Sequence, residues 1–579
     1  MFVDCLVARQ YPIARNFPAL STTLIAGSLL LLVGCSDSSD RDPSNDSGAV
    51  LPSLSTLGAV IETRHEGDAD GLLGGFGLSG LRTAPEFYLV PENPLPAELR
   101  RNSIHANYTG LVDLRPDGGF GSIYGPLDDT LYPGREFRAF IGEGINRATV
   151  MLQLPDSFDT SAPCLVVAPS SGSRNAYGAV GTSGEWALSK GCAVAYTDAN
   201  KGTGAVDLGQ NQGFDISLQS VDLATTEAEP TFIVPTADAV DAAGNEYQDV
   251  NVPSAAELDD YILNNPYRFA FKHAHSQKNI EKDWGLHTLQ SVSFALSKIS
   301  EATGETLTPA NTLIIGASVS NGGAAIIRAA EDSDGLIFDG IVVGEPNLNP
   351  DAAPEAFTIA MSGQPELSGH SLPLFDYAVT SELYAACASK APINAGALFA
   401  EGHGDTSVRC NALAEAGLLE PGTIEELGTE ANQRLLDAGY LPESTRLLVG
   451  YAGIDLFQTL LATYGNAYTR SSVIDNLCAI SMAHVPQGSA APAPIPSLAT
   501  LAAISSGIPR TANIFLIKND SPAGPALQLA AESSSGQLDY NLEGALCWQD
   551  LRDNPENPLN ERLRVGIDEI QVDGNLHGV

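Results

Sequence analysis

Residues 311–331 read NTLIIGASVSNGGAAIIRAAE. An apolar run, Leu313–Ile315, climbs to two serines, passes Asn321-Gly322-Gly323 and falls into an alanine-rich segment. A short continuous apolar run bounded by turn residues is the pattern of a strand buried on both faces, and the segment after it predicts a helix. The junction has the form of a nucleophile elbow, in which small residues two before and two after a serine let strand and helix approach closely. Two serines compete for the central place. About Ser318 the flanks are Gly316 and Ser320; about Ser320 they are Ser318 and Gly322, with the glycine on the helix side, where packing is tightest. Ser320 is therefore the expected nucleophile. The backbone N–H of Asn321, at the positive end of the helix dipole, is expected to meet an acyl oxyanion. The plainer role for a serine here is a helix N-cap.

Outward from the elbow, ATVMLQLP (148–155), CLVVAPS (164–170), CAVAYTD (192–198) and GIVVGEP (340–346) are further short runs dominated by Val, Leu and Ala. Helical segments lie between them, at 184–190 and at DWGLHTLQSVSFALSKI (283–299), where Leu286, Leu289, Val292, Leu296 and Ile299 recur at helical spacing. Alternating strands and helices predict an α/β fold, here an α/β-hydrolase-like, mostly parallel sheet. The loop after CLVVAPS offers Ser171, Gly172 and Ser173 as further backbone donors to an oxyanion. Residues 207–253 read as a surface insertion, and 49–147 as short strands and loops with a small helix near 97–101. From 347 to 510 the strand pattern stops and a mainly helical insertion, or cap, is predicted. It includes TIEELGTEANQRLLDAG with a capping box, Thr423 and Glu426, then DLFQTLLATYG and SSVIDNLCAISMAHV as helices. Residues 511–579 are expected to return to the core, and 59–346 hold the N-terminal extension and the elbow-bearing core.

Hydrophobic residues make up 44% and charged residues 17% of the 579, a globular composition. Lys and Arg number 30 against 70 Asp and Glu, a formal net charge of −40, which repels phosphate backbones and argues against nucleic acid as a partner. At the N-terminus Arg9 and Arg15 precede TTLIAGSLLLLVGC, the pattern of a secretory signal over residues 1–34. LVGC has the form of a lipobox, making Cys35 the expected lipidation site, with residues 35–58 as an acidic flexible tether. The expected location is outside the cytoplasm: periplasmic, extracellular or held to the outer membrane by lipid. Export makes disulfides the expected state of the six cysteines that follow Cys35, with Cys387–Cys410 and Cys478–Cys547 paired by proximity in sequence. No cysteine or histidine spacing suits a structural zinc. His273 and His275, two apart in KHAHS, form at most a partial metal site, and a structural or substrate-lining role is expected instead.

The fragments PLPAELRR, LYPGREF, SSGSRNAYGA, KGCAVAYTD, KHAHSQKN, DWGLHTLQ, ASVSNGG, VGEPN and DYNLEGALC occur in this order from Asp68 onward. In them the chain resembles the secreted 3-hydroxybutyrate-oligomer hydrolases of polyhydroxybutyrate-degrading bacteria. The resemblance implies a serine esterase cutting short (R)-3-hydroxybutyrate oligomers into monomers, with Ser320 as nucleophile, a small oligoester as partner and no metal or organic cofactor. Another secreted esterase of tannase or feruloyl-esterase type, or a non-catalytic lipoprotein with a hydrolase fold, are the competing expectations. Oligomeric state is left open.

A serine hydroxyl needs a base, and that base an orienting acid, following the nucleophile in the order acid, then histidine. After Ser320 the histidines are His370, His403, His484 and His577, and the clearest late strand ending in an acid is NIFLIKND, with Asp520. Ser320, Asp520 and His577 form a triad in proper order. Glu345, at the end of GIVVGE, is a further candidate acid. Members of the resembled family continue past the region similar to RLRVGIDEIQVDGNLHG with a strand, an acid and a histidine. The resemblance thus implies a chain lacking its C-terminal strands, with the working acid and base beyond Val579.

Overall fold

A computed structural model describes residues 50–572 apart from 67–69, 84–92, 111, 143–146, 173, 203, 226–228, 239–246, 248–249, 351–356, 361–365, 369–370, 399–403, 500 and 502–513. The signal segment and Cys35 lie outside the described residues, as do Ser173, His370, His403 and His577.

Seven strands form the central sheet: β1 (Ile61–His65), β2 (Gly134–Ile141), β3 (Ala148–Pro155), β4 (Cys164–Pro169), β5 (Ala193–Thr197), β6 (Leu313–Val319) and β7 (Gly340–Gly344), in the order β1-β2-β3-β5-β4-β6-β7. The pairs β4–β5, β4–β6 and β6–β7 are parallel. The pairs β1–β2, β2–β3 and β3–β5 are antiparallel. The expected parallel sheet thus covers only the half around the elbow. β2 and β3 are joined by a connection of a few residues, which permits only antiparallel neighbours, whereas parallel strands need a longer crossover.

The apolar runs form strands because both faces of the sheet are covered. Leu165 and Val167 of β4, Ala193 and Ala195 of β5, and Val150 and Leu152 of β3 belong to one cluster with Leu289, Val292, Leu296 and Ile299 of α1 (Trp284–Thr303) and Ala329 and Ala330 of α2 (Asn321–Asp332). The alternate residues, Val166, Ala168, Val194, Tyr196 and Met151, face the other way, onto Ala176, Tyr177, Val180 and Leu188. Each large aliphatic side chain removed from water here contributes about 1.5–3 kcal/mol. The segment after β4 lies on one face of the sheet and α2, after β6, on the other. Open α/β sheets bind ligands at the C-terminal strand ends where such connections part to opposite faces, which here are the ends of β4 and β6.

Within the region read as a helical insertion lie α3 (Leu374–Ala388), α4 (Ser407–Glu415), α5 (Ile424–Asp437), α6 (Pro442–Gly453) and α7 (Leu456–Thr469). The capping box at Thr423 is formed: its Oγ1 accepts the Glu426 N–H at 3.3 Å, and Glu426 Oε2 accepts the Thr423 N–H at 2.7 Å.

Four local readings are corrected. SSVIDNLCAISMAHV is not a helix; Asn476, Cys478 and Ala479 take left-handed backbone angles, and Ile480–His484 is a strand. The segment expected to rejoin the core sheet, Ile514–Lys518, instead pairs antiparallel with that strand and with Ala526–Leu527 in a separate three-stranded sheet. Part of 207–253 is built in: Gln212–Phe214 and Ser220–Asp222 join Ala205–Asp207 and Phe269–Phe271 in a four-stranded sheet. The tether ends before residue 58, because Leu51, Leu54 and Leu57 pack against the sheet and Gly58 donates to the Phe140 carbonyl at 2.9 Å. Cys387–Cys410 and Cys478–Cys547 are bonded, and so are Cys164–Cys192, which link the starts of β4 and β5.

Candidate active site

Ser320 joins β6 to α2 with φ 53° and ψ −128°. A non-glycine residue in that region costs of order 1–3 kcal/mol and persists only where its surroundings hold it. Here the segment after β7 does so. The Ser320 N–H donates to the Gly344 carbonyl at 2.9 Å, and its carbonyl accepts from Ala324 N at 3.0 Å and Asn347 N at 3.2 Å. Glu345, within that segment, is itself left-handed at φ 47° and exposed.

The competing serine has another task. Ser318 is 3% exposed and donates to the Pro169 carbonyl at 2.7 Å, stitching β6 to the end of β4. A β-carbon on Gly322 would collide with Ser318 Oγ and the Pro169 carbonyl, and one on Gly316 would lie 2.7 Å from Ile326. The small residues around the elbow are thus steric requirements. Ser320 Oγ is half-buried and makes no hydrogen bond among the described residues.

Three N–H groups near this turn have no acceptor among the described residues: Asn321 at the helix start, and Ser171 and Gly172 after β4. The first is one of the donors every helix leaves open. In the β4 loop, Ser170 N donates to the Thr197 carbonyl at 2.8 Å and Arg174 N to the Ser171 carbonyl at 3.1 Å, with Gly172 left-handed at φ 51°. Ser171 Oγ is buried without a partner.

The Asn321 side chain is 1% exposed and hydrogen-bonded at both its nitrogen and its oxygen. Its Nδ2 donates to Tyr464 Oη at 2.9 Å, and its Oδ1 accepts from Asn347 Nδ2 at 3.0 Å. Tyr464 comes from α7, in the insertion, and packs edge-on against His273 with ring centroids 5.1 Å apart. Burial, reinforced by the Glu281 carboxylate, pushes its phenol well above the usual range.

The two histidines of KHAHS are committed. His273 Nε2 lies 2.8 Å from Glu281 Oε1, while Tyr468 Oη donates to Glu281 Oε2 at 2.9 Å. His275 Nδ1 accepts the Phe271 N–H at 3.0 Å, and burial holds its imidazole down to about 3. Nearby, Lys201 lies over the Trp284 ring at 5.1 Å, its ammonium pushed down to about 8 by burial despite Asp198 and Glu281.

Asp520, the expected acid, does not follow a strand of the central sheet. It follows a strand of the separate sheet, its side chain is 58% exposed, and its carboxylate pairs with Lys518 Nζ at 2.7 Å. The C-terminal region does approach. Gln571–Val572 pair in parallel with Asn349–Pro350, just after the segment that holds Ser320, and Arg328 of α2 donates to the Gln571 carbonyl. Tyr464 and Asn347 were missed in the sequence. Asn347 stood within VGEPN, next to a strand end, whereas Tyr464 sits in an ordinary apolar helix 143 residues from its partner.

The family sequence model described as 3HB-oligomer hydrolase matches residues 33–579. A D-(-)-3-hydroxybutyrate oligomer hydrolase of Cupriavidus metallidurans is 36% identical over 96% of this chain and 78% of its own length. Enzymes of the same name from a Polaromonas species and from Ralstonia pickettii are each 38% identical over 90% of this chain, spanning 75% and 72% of their own lengths. No solved structure matches. With the match running through the elbow, the β4 loop and the segment that holds Ser320, the chain belongs to the 3HB-oligomer hydrolase family.

Proposed function

We propose that the chain is a serine carboxylic-ester hydrolase of α/β-hydrolase architecture that cleaves (R)-3-hydroxybutyrate oligomers to monomers, with Ser320 as nucleophile. The observation that carries this reading is the strained, half-buried Ser320 at the turn from a parallel strand into a helix. In this mechanism Ser320 Oγ attacks the ester carbonyl carbon, and the N–H groups of Asn321, Ser171 and Gly172 receive the oxyanion. Loss of one such donor typically costs about 10²–10³ in rate. Collapse expels the 3-hydroxyl of the leaving unit, and water then releases the acyl group from the serine.

The base in this reading is His577, five residues past the strand pair that adjoins the elbow segment. Glu345 supplies a carboxylate beside the same segment, in place of Asp520. Three disulfides support an oxidising compartment, and with it export; lipidation at Cys35 rests on the lipobox form of LVGC. Absence of labelled fatty acid on the wild type, or its retention on Cys35→Ala, rejects the anchor.

A fluorophosphonate probe tests the nucleophile. Covalent mass at Ser320, and a fall of at least about 10⁴-fold in hydrolysis of the 3-hydroxybutyrate dimer for Ser320→Ala, are expected. An unlabelled serine in an inactive wild-type chain would instead favour a binding protein with a hydrolase fold.

A further inference from the structure

We propose that Tyr464 is a positioning residue for the elbow: its hydroxyl holds the Asn321 side chain and thereby aims the Asn321 N–H at the acyl oxygen. The inference rests on Ser320 being the nucleophile.

The Asn321 amide orientation follows from its neighbours. Asn321 Oδ1 accepts from Asn347 Nδ2 at 3.0 Å, and its NH₂ group donates to Tyr464. Tyr464 Oη accepts from that NH₂ at 2.9 Å and lies 3.2 Å from Oδ1, where its own proton can be donated. Asn321 is thus clamped from two sides, by the segment after β7 and by the helical insertion. The residue carrying this clamp is the first of α2, and its open N–H is set by the same backbone. The Ser320 backbone before it is held by the segment after β7, through Gly344 and Asn347, and the Asn321 side chain adds the tie to the helical region. A shift of about 1 Å in such a group typically costs on the order of 10²-fold in rate.

The network behind the clamp has a division of labour. Tyr464 is held by its ring contact with His273, and His273 by Glu281. Tyr468, one helical turn further on, spends its hydroxyl on Glu281 and makes no hydrogen bond to Asn321. Both tyrosines are buried on α7, yet only one reaches the elbow. Removal of the two hydroxyls one at a time therefore separates positioning from general packing.

The test compares Tyr464→Phe, Tyr468→Phe, Asn321→Ala and the double variant Tyr464→Phe/Asn321→Ala on the 3-hydroxybutyrate dimer. Tyr464→Phe is expected to lower kcat about tenfold or more with KM within about twofold, the mark of an interaction made in the transition state. Tyr468→Phe should keep kcat within about twofold. The double variant should be no slower than Asn321→Ala, because Tyr464 acts through Asn321. Unchanged kcat in Tyr464→Phe, or losses that multiply in the double variant, overturns the proposal. Failure of the underlying reading shows differently: Ser320 of the wild type takes no fluorophosphonate, or Ser320→Ala retains hydrolysis.

Discussion

Two buried polar networks flank the sheet, and they differ in what they leave open. Below β2 and β3, Glu136 accepts Arg100 Nη2 at 2.9 Å, Gln153 Nε2 at 3.0 Å and Tyr177 Oη at 2.6 Å, while Tyr196 Oη donates to Gln153 Oε1 at 2.8 Å. Burial alone would raise the Glu136 pKa, but the Arg100 and Arg138 charges outweigh it and hold the carboxyl far below its usual range. Its carboxylate is fully enclosed and satisfied. At the elbow, the side chains of Asn321, Tyr464 and Asn347 are matched just as closely, yet Ser320 Oγ, Ser171 Oγ and three N–H groups have no protein partner among the described residues. A satisfied buried network rigidifies a fold. In the proposed mechanism the donors left open at the elbow are the ones that receive the substrate.

The largest break in that comparison is Glu136→Ala. It strands a buried guanidinium and is expected to cost about 3–5 kcal/mol in urea unfolding, while the folded enzyme keeps kcat within about twofold. A large drop in kcat with unchanged stability would reverse the roles of the two networks. The next effect is a pH dependence on the elbow side. His275 is held at about 3 against an ordinary 6.5, so proton uptake favours unfolding. The penalty is absent above about pH 6.5 and grows as pH falls toward 3. At pH 4.5 it amounts to about 2–3 kcal/mol. His275→Asn, which keeps an acceptor for Phe271 N–H, should flatten the fall of Tm between pH 7 and 4; an unaltered slope would assign it elsewhere. The smallest effect is Ser318→Ala, about 1 kcal/mol of stability from one lost hydrogen bond, with dimer hydrolysis kept within a few-fold. Loss of activity comparable to Ser320→Ala would move the nucleophile from Ser320 to Ser318.

What could be read in the sequence was local. The apolar run into Ser-Asn-Gly-Gly held strand, turn and helix within one window, and Ser320 is the residue that stands at the turn. The heptad-like spacing of Leu289, Val292, Leu296 and Ile299 located α1, and Thr423 with Glu426 located the start of α5. What failed was long-range. The short run at Ile480–His484 has no period long enough to tell strand from helix. Its pairing with Ile514–Lys518, and hence the exposed position of Asp520, depends on a partner more than twenty residues away in the chain. The antiparallel half of the sheet followed from a short β2–β3 connection embedded in Gly- and Pro-rich sequence. Tyr464 carried no local mark at all.

The Asn321–Tyr464 hydrogen bond spans 143 residues of chain. Contacts of such separation pay loop-closure entropy and form after local structure. β6 and α2 have the means to assemble early, but the side chain that steadies their junction arrives only when α7 docks. A partly folded or clipped chain would then carry the serine without its brace, so hydrolytic competence reports completion of the fold and not merely presence of the elbow.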